Sequence, residues 1–179
     1  MPNIYFIADT HFGHENVILY ENRPYADADK MDTDLIKRWN AVVKNDSDIV
    51  YFLGDFLFGS FSRAEKLLSQ LNGQKLLIRG NHDFRKSNEW WINKGFHKAL
   101  TDGYSKEATY LFSMDGITLL LSHFPLNNPE HFNIHGHVHT HIQGIDPTNH
   151  LCISVEQINY QPISWEELKR LILKLKGGE

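Results

Sequence analysis

The chain lacks most of what marks a secreted, membrane-spanning or nucleic-acid-coating protein. It has one cysteine, Cys152, so no internal disulfide can form, and the setting LCISV reads as a small buried hydrophobe rather than a reactive thiol. Nowhere do about eighteen apolar residues run together, as a membrane helix requires. The apolar opening meets Asp9 too early to serve as the core of a secretory signal, so no membrane association and a cytoplasmic location are expected. A basic block is missing as well: 18 Lys and Arg stand against 22 Asp and Glu, a formal charge of −4. Coating nucleic acid draws on phosphate neutralisation by a basic face, so nucleic acid is not indicated as a partner. An acidic enzyme that handles phosphate through metal ions remains compatible. Repeats, linkers and low-complexity stretches are also absent. At 179 residues, the whole chain, 1–179, is expected to be a single domain with a proper core.

What is present alternates. NIYFIAD (3–9), SDIVYFLGD (47–55) and QKLLIRGNHD (74–83) are short apolar runs ending in polar turns, the pattern of buried strands. MDTDLIKRWNAVV and SRAEKLLSQLN, between them, carry apolar residues at helical spacing. This order predicts a parallel sheet with helices on its faces and right-handed crossovers. After a helix in SNEWWINKG, residues 108–114 and 117–123 read as two strands joined at Asp115-Gly116, a favoured hairpin turn. FNIHG and LCISVE read as further strands. SWEELKRLILKLK closes as an amphipathic helix, with Ser164 and Glu167 forming a capping box. The fold class expected is α/β, with two packed sheets flanked by helices.

The polar ends of these runs form a series: Asp9-Thr10-His11, Gly54-Asp55, Gly80-Asn81-His82-Asp83, Ser122-His123 and Gly136-His137-Val138-His139. Asp, Asn and Gly are ordinary turn formers, so any one of these segments alone is a turn. Histidine is not a turn residue, yet it recurs in four of the five. In open α/β sheets ligands bind beyond the carboxyl ends of strands, so these residues would converge. Nitrogen and oxygen donors without cysteine suit manganese foremost, with iron, zinc, nickel or cobalt compatible. Asp55, the lone ligand-type residue of its segment, is the natural bridge between two divalent metal ions. Two such ions against Asp9 and Asp55 leave a local charge of about +2, which attracts phosphate.

D-x-H, G-D, G-N-H-D, a lone histidine after a strand and G-H-x-H, in this order, resemble the motifs of the calcineurin-like metallophosphoesterases, particularly the small bacterial phosphoesterases. The resemblance spans residues 9 to 139. It implies a four-layer α/β/β/α sandwich and a binuclear metal centre. Asp9, His11 and His139 would hold one ion, Asn81, His123 and His137 the other, and Asp55 would bridge. A metal-bridging water or hydroxide would attack phosphorus in line with the leaving oxygen, with His82 as the catalytic histidine beside the ions. The phosphoprotein phosphatases of the family read G-D-x-x-D-R-G, their second Asp orienting that histidine. Here the stretch is GDFLFG, with Phe58 in that place, so protein serine/threonine phosphatase activity is not expected.

The implied activity is hydrolysis of phosphodiesters or small phosphomonoesters. A nuclease and a same-fold protein-binding scaffold are the alternatives. Selectivity would come from the segments 12–30, 84–95 and 124–135. His14, Asp83, Arg23 and Arg85 are candidates for contacts behind the ligands or to substrate, although Arg23 and Arg85 read by default as solvated surface charges. His135 and His141 would support the ligands through polar contacts. His131, His97 and His150 read as surface or hinge residues, and the Trp90-Trp91 pair as core rather than a base-stacking platform.

Overall fold

The computed structural model describes residues 2–100, 108–127 and 129–177. Strands β1 (Ile4–Ile7), β2 (Ile49–Phe52), β3 (Gln74–Leu77) and β4 (Lys98–Ala99) pair in parallel, and β9 (Ile163–Ser164) adds antiparallel to β1. Strands β5 (Thr109–Met114) and β6 (Ile117–Ser122) form the hairpin, and β7 (Phe132–His135) and β8 (His150–Cys152) extend it in parallel. Both sheets are therefore mixed, as the change of pattern along the chain predicts. The turn residues Asp115 and Gly116 both take positive φ, 52° and 75°, which gives the twist that a two-residue hairpin needs.

Strand alternation divides the first sheet between two cores. Tyr5, Ile7, Val50, Phe52 and Leu77 point to one side, where Leu35 and Trp39 of α2 (Ala28–Val42), Leu67 and Leu68 of α3 (Ala64–Leu68) and Trp91 of α4 (Asn88–Lys94) pack on them. Phe6, Ala8, Tyr51, Leu53 and Ile78 point to the other side, meeting Phe112, Leu119, Leu121, Phe132 and Ile134 of the second sheet. The last helix, α5 (Trp165–Leu175), lays Trp165, Leu168 and Ile172 into this second core. The result is the sandwich of two mixed sheets flanked by helices. Trp91 is fully buried, as a core residue should be, whereas Trp90 is half-buried beneath Lys86 and Lys94.

Helices α2, α4 and α5 begin where side chains can accept orphan N–H groups. Asp27 accepts from Lys30 N, Ser87 from Trp90 N, and Ser164 and Glu167 complete the reciprocal box. The segment 12–30 is not simply a loop. It contains the short helix α1 (Glu15–Tyr20), which its six residues do not announce by periodicity, and the start of α2.

Asp48 ties the sheet's lower edge together. Its carboxylate accepts from Asn3 N at 3.0 Å, Asn45 N at 3.0 Å and Lys44 N at 3.2 Å, joining the entry to β1, the exit from α2 and the entry to β2. Burial pushes this carboxyl up, but the N–H groups of Asn45, Asn3 and Lys44 outweigh it, and the group titrates below its ordinary value. A depressed carboxyl pKa stabilises the fold above the unfolded value of about 3.9 and loses that contribution as pH falls through the folded value. Asp48→Ala should therefore lower unfolding free energy by about 1–3 kcal/mol at pH 6. Urea midpoints should show the deficit narrowing below about pH 4.

Candidate metal centre

The strand ends do converge. Asp9 follows β1, Asp55 follows β2, Asn81 and His82 follow β3, His123 follows β6, and His137 and His139 follow β7. Donor atoms from these residues lie within 4.8 Å of one another in overlapping groups: Asp9 with His11 and His139, His11 with Asp55 and His82, and Asp55 with His123 and His137. Asn81 joins the last group, its Oδ1 lying 3.0 Å from His123 Nε2.

The backbone bends sharply to achieve this. Asp9, His11, Asp55, His137 and His139 all have left-handed φ, between 49° and 69°. Each such residue costs of order 1–3 kcal/mol, and Asp, Asn and His tolerate the region better than most side chains. The intervening glycines leave no room for alternatives. A Cβ on Gly80 would stand 2.2 Å from Asp55 Oδ1, and one on Gly136 would stand 2.4 Å from Asp9 Oδ2. Asp83 locks the second and third corners together, accepting from Asp55 N at 2.7 Å, Gly80 N at 2.8 Å and Phe56 N at 3.1 Å. It acts through the backbone and binds nothing in the cleft itself.

Each central carboxylate gives one oxygen to the protein and turns the other toward the cleft. Asp9 Oδ2 accepts from His137 N at 2.9 Å and Ser154 Oγ at 2.6 Å, while Oδ1 is buried with no hydrogen-bond partner. Asp55 Oδ1 accepts from His82 N at 2.9 Å, and Oδ2 lies 3.5 Å from His123 Nε2 and 3.6 Å from His11 Nε2. Burial raises both: Asp9 to about 6 and Asp55 well above its ordinary value, the latter helped by the charges of Asp83 and Asp9.

His11 and His123 are held as neutral donors, whereas at His139 burial is outweighed by the hydrogen bond to Glu156 and the ring titrates above its ordinary value. Burial lowers His11 far below its ordinary value and brings His123 to about 3. His123 Nδ1 therefore donates to Leu53 O, 2.8 Å away, which leaves the Nε2 lone pair facing Asn81 Oδ1. Two acceptors 3.0 Å apart repel unless a cation lies between them, and about 3 Å is the spacing of adjacent ligands each about 2.1 Å from one ion. Both ring nitrogens of His11 are buried without a partner. These orphaned donors, together with the chemistry of the set, fit divalent cations.

Behind His139 stands a group that the sequence reading missed. Glu156 Oε1 lies 3.0 Å from His139 Nδ1 and also receives Arg23 Nε at 2.8 Å and Nη2 at 2.6 Å. Arg23 gives its remaining N–H groups to the carbonyls of Thr10 and Asp9, at 2.9 and 2.8 Å, and to Met31 Sδ at 3.3 Å. Its side chain is fully buried, so the expectation of a solvated surface charge is corrected: every polar edge of the guanidinium meets an acceptor inside the fold. The signal was available, because LCISVE ends in Ser154 and Glu156 just as the other apolar runs end in ligand-type residues. The rest sort simply. Arg85 is exposed and acts on His82 through its charge. His14 lies in the cleft, while His135 is buried on the sheet's outer face with Nδ1 on Gly136 O. His150, expected as a surface or hinge residue, is buried in β8 with its ring 5.7 Å from that of His135. His141 is 77% exposed near Glu21, and His131 and His97 are exposed.

The cleft itself, about 390 Å³, is lined by His11, Asp55, Asn81, His137 and His139 of the ligand candidates and by His14, Asn16, Val17, Tyr20, Glu21, Phe58 and His82. Among the described residues of the three segments expected to supply selectivity, those of 12–30 line it.

Two mixed sheets flanked by helices, with this donor set at the strand ends, define an α/β sandwich of the calcineurin-like class. The chain belongs to the calcineurin-like phosphoesterases, whose family model matches residues 2–176. It is 38% identical over 183 residues to an uncharacterized protein of Methanocaldococcus jannaschii, covering 98% of this chain and 94% of that one. The Gene 66 protein of Mycobacterium phage D29 is 30% identical over 198 residues, covering 94% and 92%. Among solved structures, a protein of unknown function from Aquifex aeolicus superposes with a TM-score of 0.73 at 26% identity, covering 96% of this chain and all of that one.

For the network behind His139, Glu156→Gln should weaken the affinity for one divalent ion about 10–100-fold, the usual effect of altering a group that orients a ligand. Calorimetric titration with Mn²⁺ reads this directly. His131→Ala should leave the titration unchanged.

Proposed function

We propose that the protein is a metal-dependent phosphoesterase that hydrolyses small phosphodiesters or phosphomonoesters at a binuclear centre. The observation that carries this reading is the convergence of nitrogen and oxygen donors from five strand ends, with Asp9 Oδ1 and both ring nitrogens of His11 buried and without a hydrogen-bond partner. Asp9, His11 and His139 would hold one ion and Asn81, His123 and His137 the other, with Asp55, whose Oδ2 lies 3.6 Å from His11 Nε2 and 3.5 Å from His123 Nε2, shared between them. Manganese is the expected metal; iron, zinc, nickel and cobalt accept the same donors. When bound, the ions supply Lewis acidity toward the phosphoryl oxygens and the attacking water.

His82 completes the site from the side. Its ring is 30% exposed, 3.8 Å from Asp55 Oδ2, and Phe58 packs against it edge-on with centroids 5.2 Å apart. Among the described residues Asp55 is the one carboxylate within 4 Å of this ring, and it is committed to the ions. His82 is thus aligned by packing rather than by a carboxylate. It serves best as a hydrogen-bond donor to a phosphoryl oxygen.

The scaffold alternative is disfavoured because no ligand position is vacant in the sequence. A nuclease that tracks a strand needs several cations along its groove, and no Lys or Arg is among the residues that line this cleft.

With Mn²⁺ restored to metal-stripped protein, bis-p-nitrophenyl phosphate or p-nitrophenyl phosphate should be hydrolysed, and Asp55→Asn should reduce kcat/KM more than about 100-fold, beyond what groups behind the ligands usually contribute. His82→Ala should reduce turnover of esters with good and poor leaving groups equally. Failure of the reconstituted protein on both substrates would sink the reading; a loss confined to poor leaving groups would instead make His82 a proton donor.

A further inference from the structure

One wall of the cleft is not explained by the metal centre. Helix α1 leaves Leu19 78% and Tyr20 69% exposed, and Tyr20 lines the cleft. An exposed ring that borders a cleft offers a face that a ligand can cover. From Tyr20 the aromatic surface runs inward. Tyr20 meets His14 edge-on at 6.4 Å, Phe58 stacks on His14 at 3.8 Å with planes 15° apart, and Phe58 ends against His82 at 5.2 Å. The wall thus extends from solvent to the histidine beside the phosphate position.

The charges of the cleft limit what can lie along it. No lining residue is Lys or Arg, and Glu21 stands at the lip, its Oε2 fixed by Thr140 N and Oγ1. Arg23 is engaged with Glu156 and Arg63 with Asp32, while Arg85 is exposed on the His82 side of the cleft. At the lip on the Tyr20 side no lining cation rewards a second phosphate, and Glu21 repels one.

We propose that Tyr20 and Phe58 form a stacking surface for a planar ring borne next to the single reacting phosphate, making the preferred substrate a nucleotide-sized ester rather than a polymer or a phosphoprotein. The proposal rests on the phosphoesterase reading and names its substrate class. Stacking suits this role because every base offers a π-face, so the wall selects for a base without selecting which one. Phe58 then has a dual position: it stands where the related protein phosphatases carry an acid, and it turns that corner from a polar support into an apolar contact.

The test compares adenosine 5′-monophosphate with ribose 5-phosphate, which present the same phosphate and sugar and differ in the base. Isothermal titration into the Mn²⁺-loaded chain reads binding without requiring turnover. Adenosine monophosphate should bind roughly 5- to 150-fold more tightly, the range a base–aromatic stack gives. Tyr20→Ala and Phe58→Ala should each shrink that ratio, and the double variant should bring it close to one. Equal affinities in the wild-type protein, or a ratio that survives the double variant, overturns the proposal. A chain that shows the ratio yet hydrolyses no p-nitrophenyl ester overturns the phosphoesterase reading and leaves the base site standing.

Discussion

Two carboxylates removed from water govern this structure. Asp9 and Asp55 are 0% and 2% exposed, and in a medium of low polarity neither can carry its charge without compensation. The protein compensates only half of each: one oxygen is clasped by backbone N–H or hydroxyl groups, the other is aimed at neutral imidazoles. A fold that stopped there would hold two destabilised acids for no gain. Divalent cations resolve the imbalance, because they replace the missing hydration on the cleft-facing oxygens while the clasped oxygens fix the geometry. Burial raises the pKa of both groups, and at Asp55 the charges of Asp83 and Asp9 add to it.

Much of this was legible in the sequence because the constraint acts on residue type. A strand that must end in a left-handed corner with a ligand on it selects Asp, Asn or His, and a second backbone that must pass within touching distance selects Gly. Gly54-Asp55 and Gly136-His137-Val138-His139 each record both demands, and Asp9-Thr10-His11 records the first. The sheet order was legible for the simpler reason that apolar runs alternating with helical spacing allow few topologies. The two-residue strands β4 and β9 were not, since neither has enough residues to show a period.

Arg23 and Glu156 show what spacing cannot express. They lie 133 positions apart, and nothing local distinguishes a buried arginine from a solvated one. Only the fold reveals that the guanidinium spans the Asp9-Thr10 carbonyls and the carboxylate behind His139. A buried ion pair is weak evidence for stability, because desolvation offsets most of the Coulombic gain. Its value here is directional. Nδ1–H of His139 is held by Glu156, so Nε2 is the nitrogen left for an ion, and the same pair steadies the backbone that carries Asp9 and His11.

Phe58 carries the last step, from chemistry to selectivity. The donor set of this cleft would serve many phosphate esters, since nitrogen and oxygen ligands recognise the phosphoryl group and not what it is attached to. Discrimination must come from the remaining wall, and that wall is short: α1, with the loop that ends in Phe58. A carboxylate at position 58 would draw polar partners and water to the corner beside His82. A phenyl ring excludes them and extends the aromatic surface begun at Tyr20 and His14. One apolar residue in place of an acid therefore changes both how the histidine is held and what can rest against it.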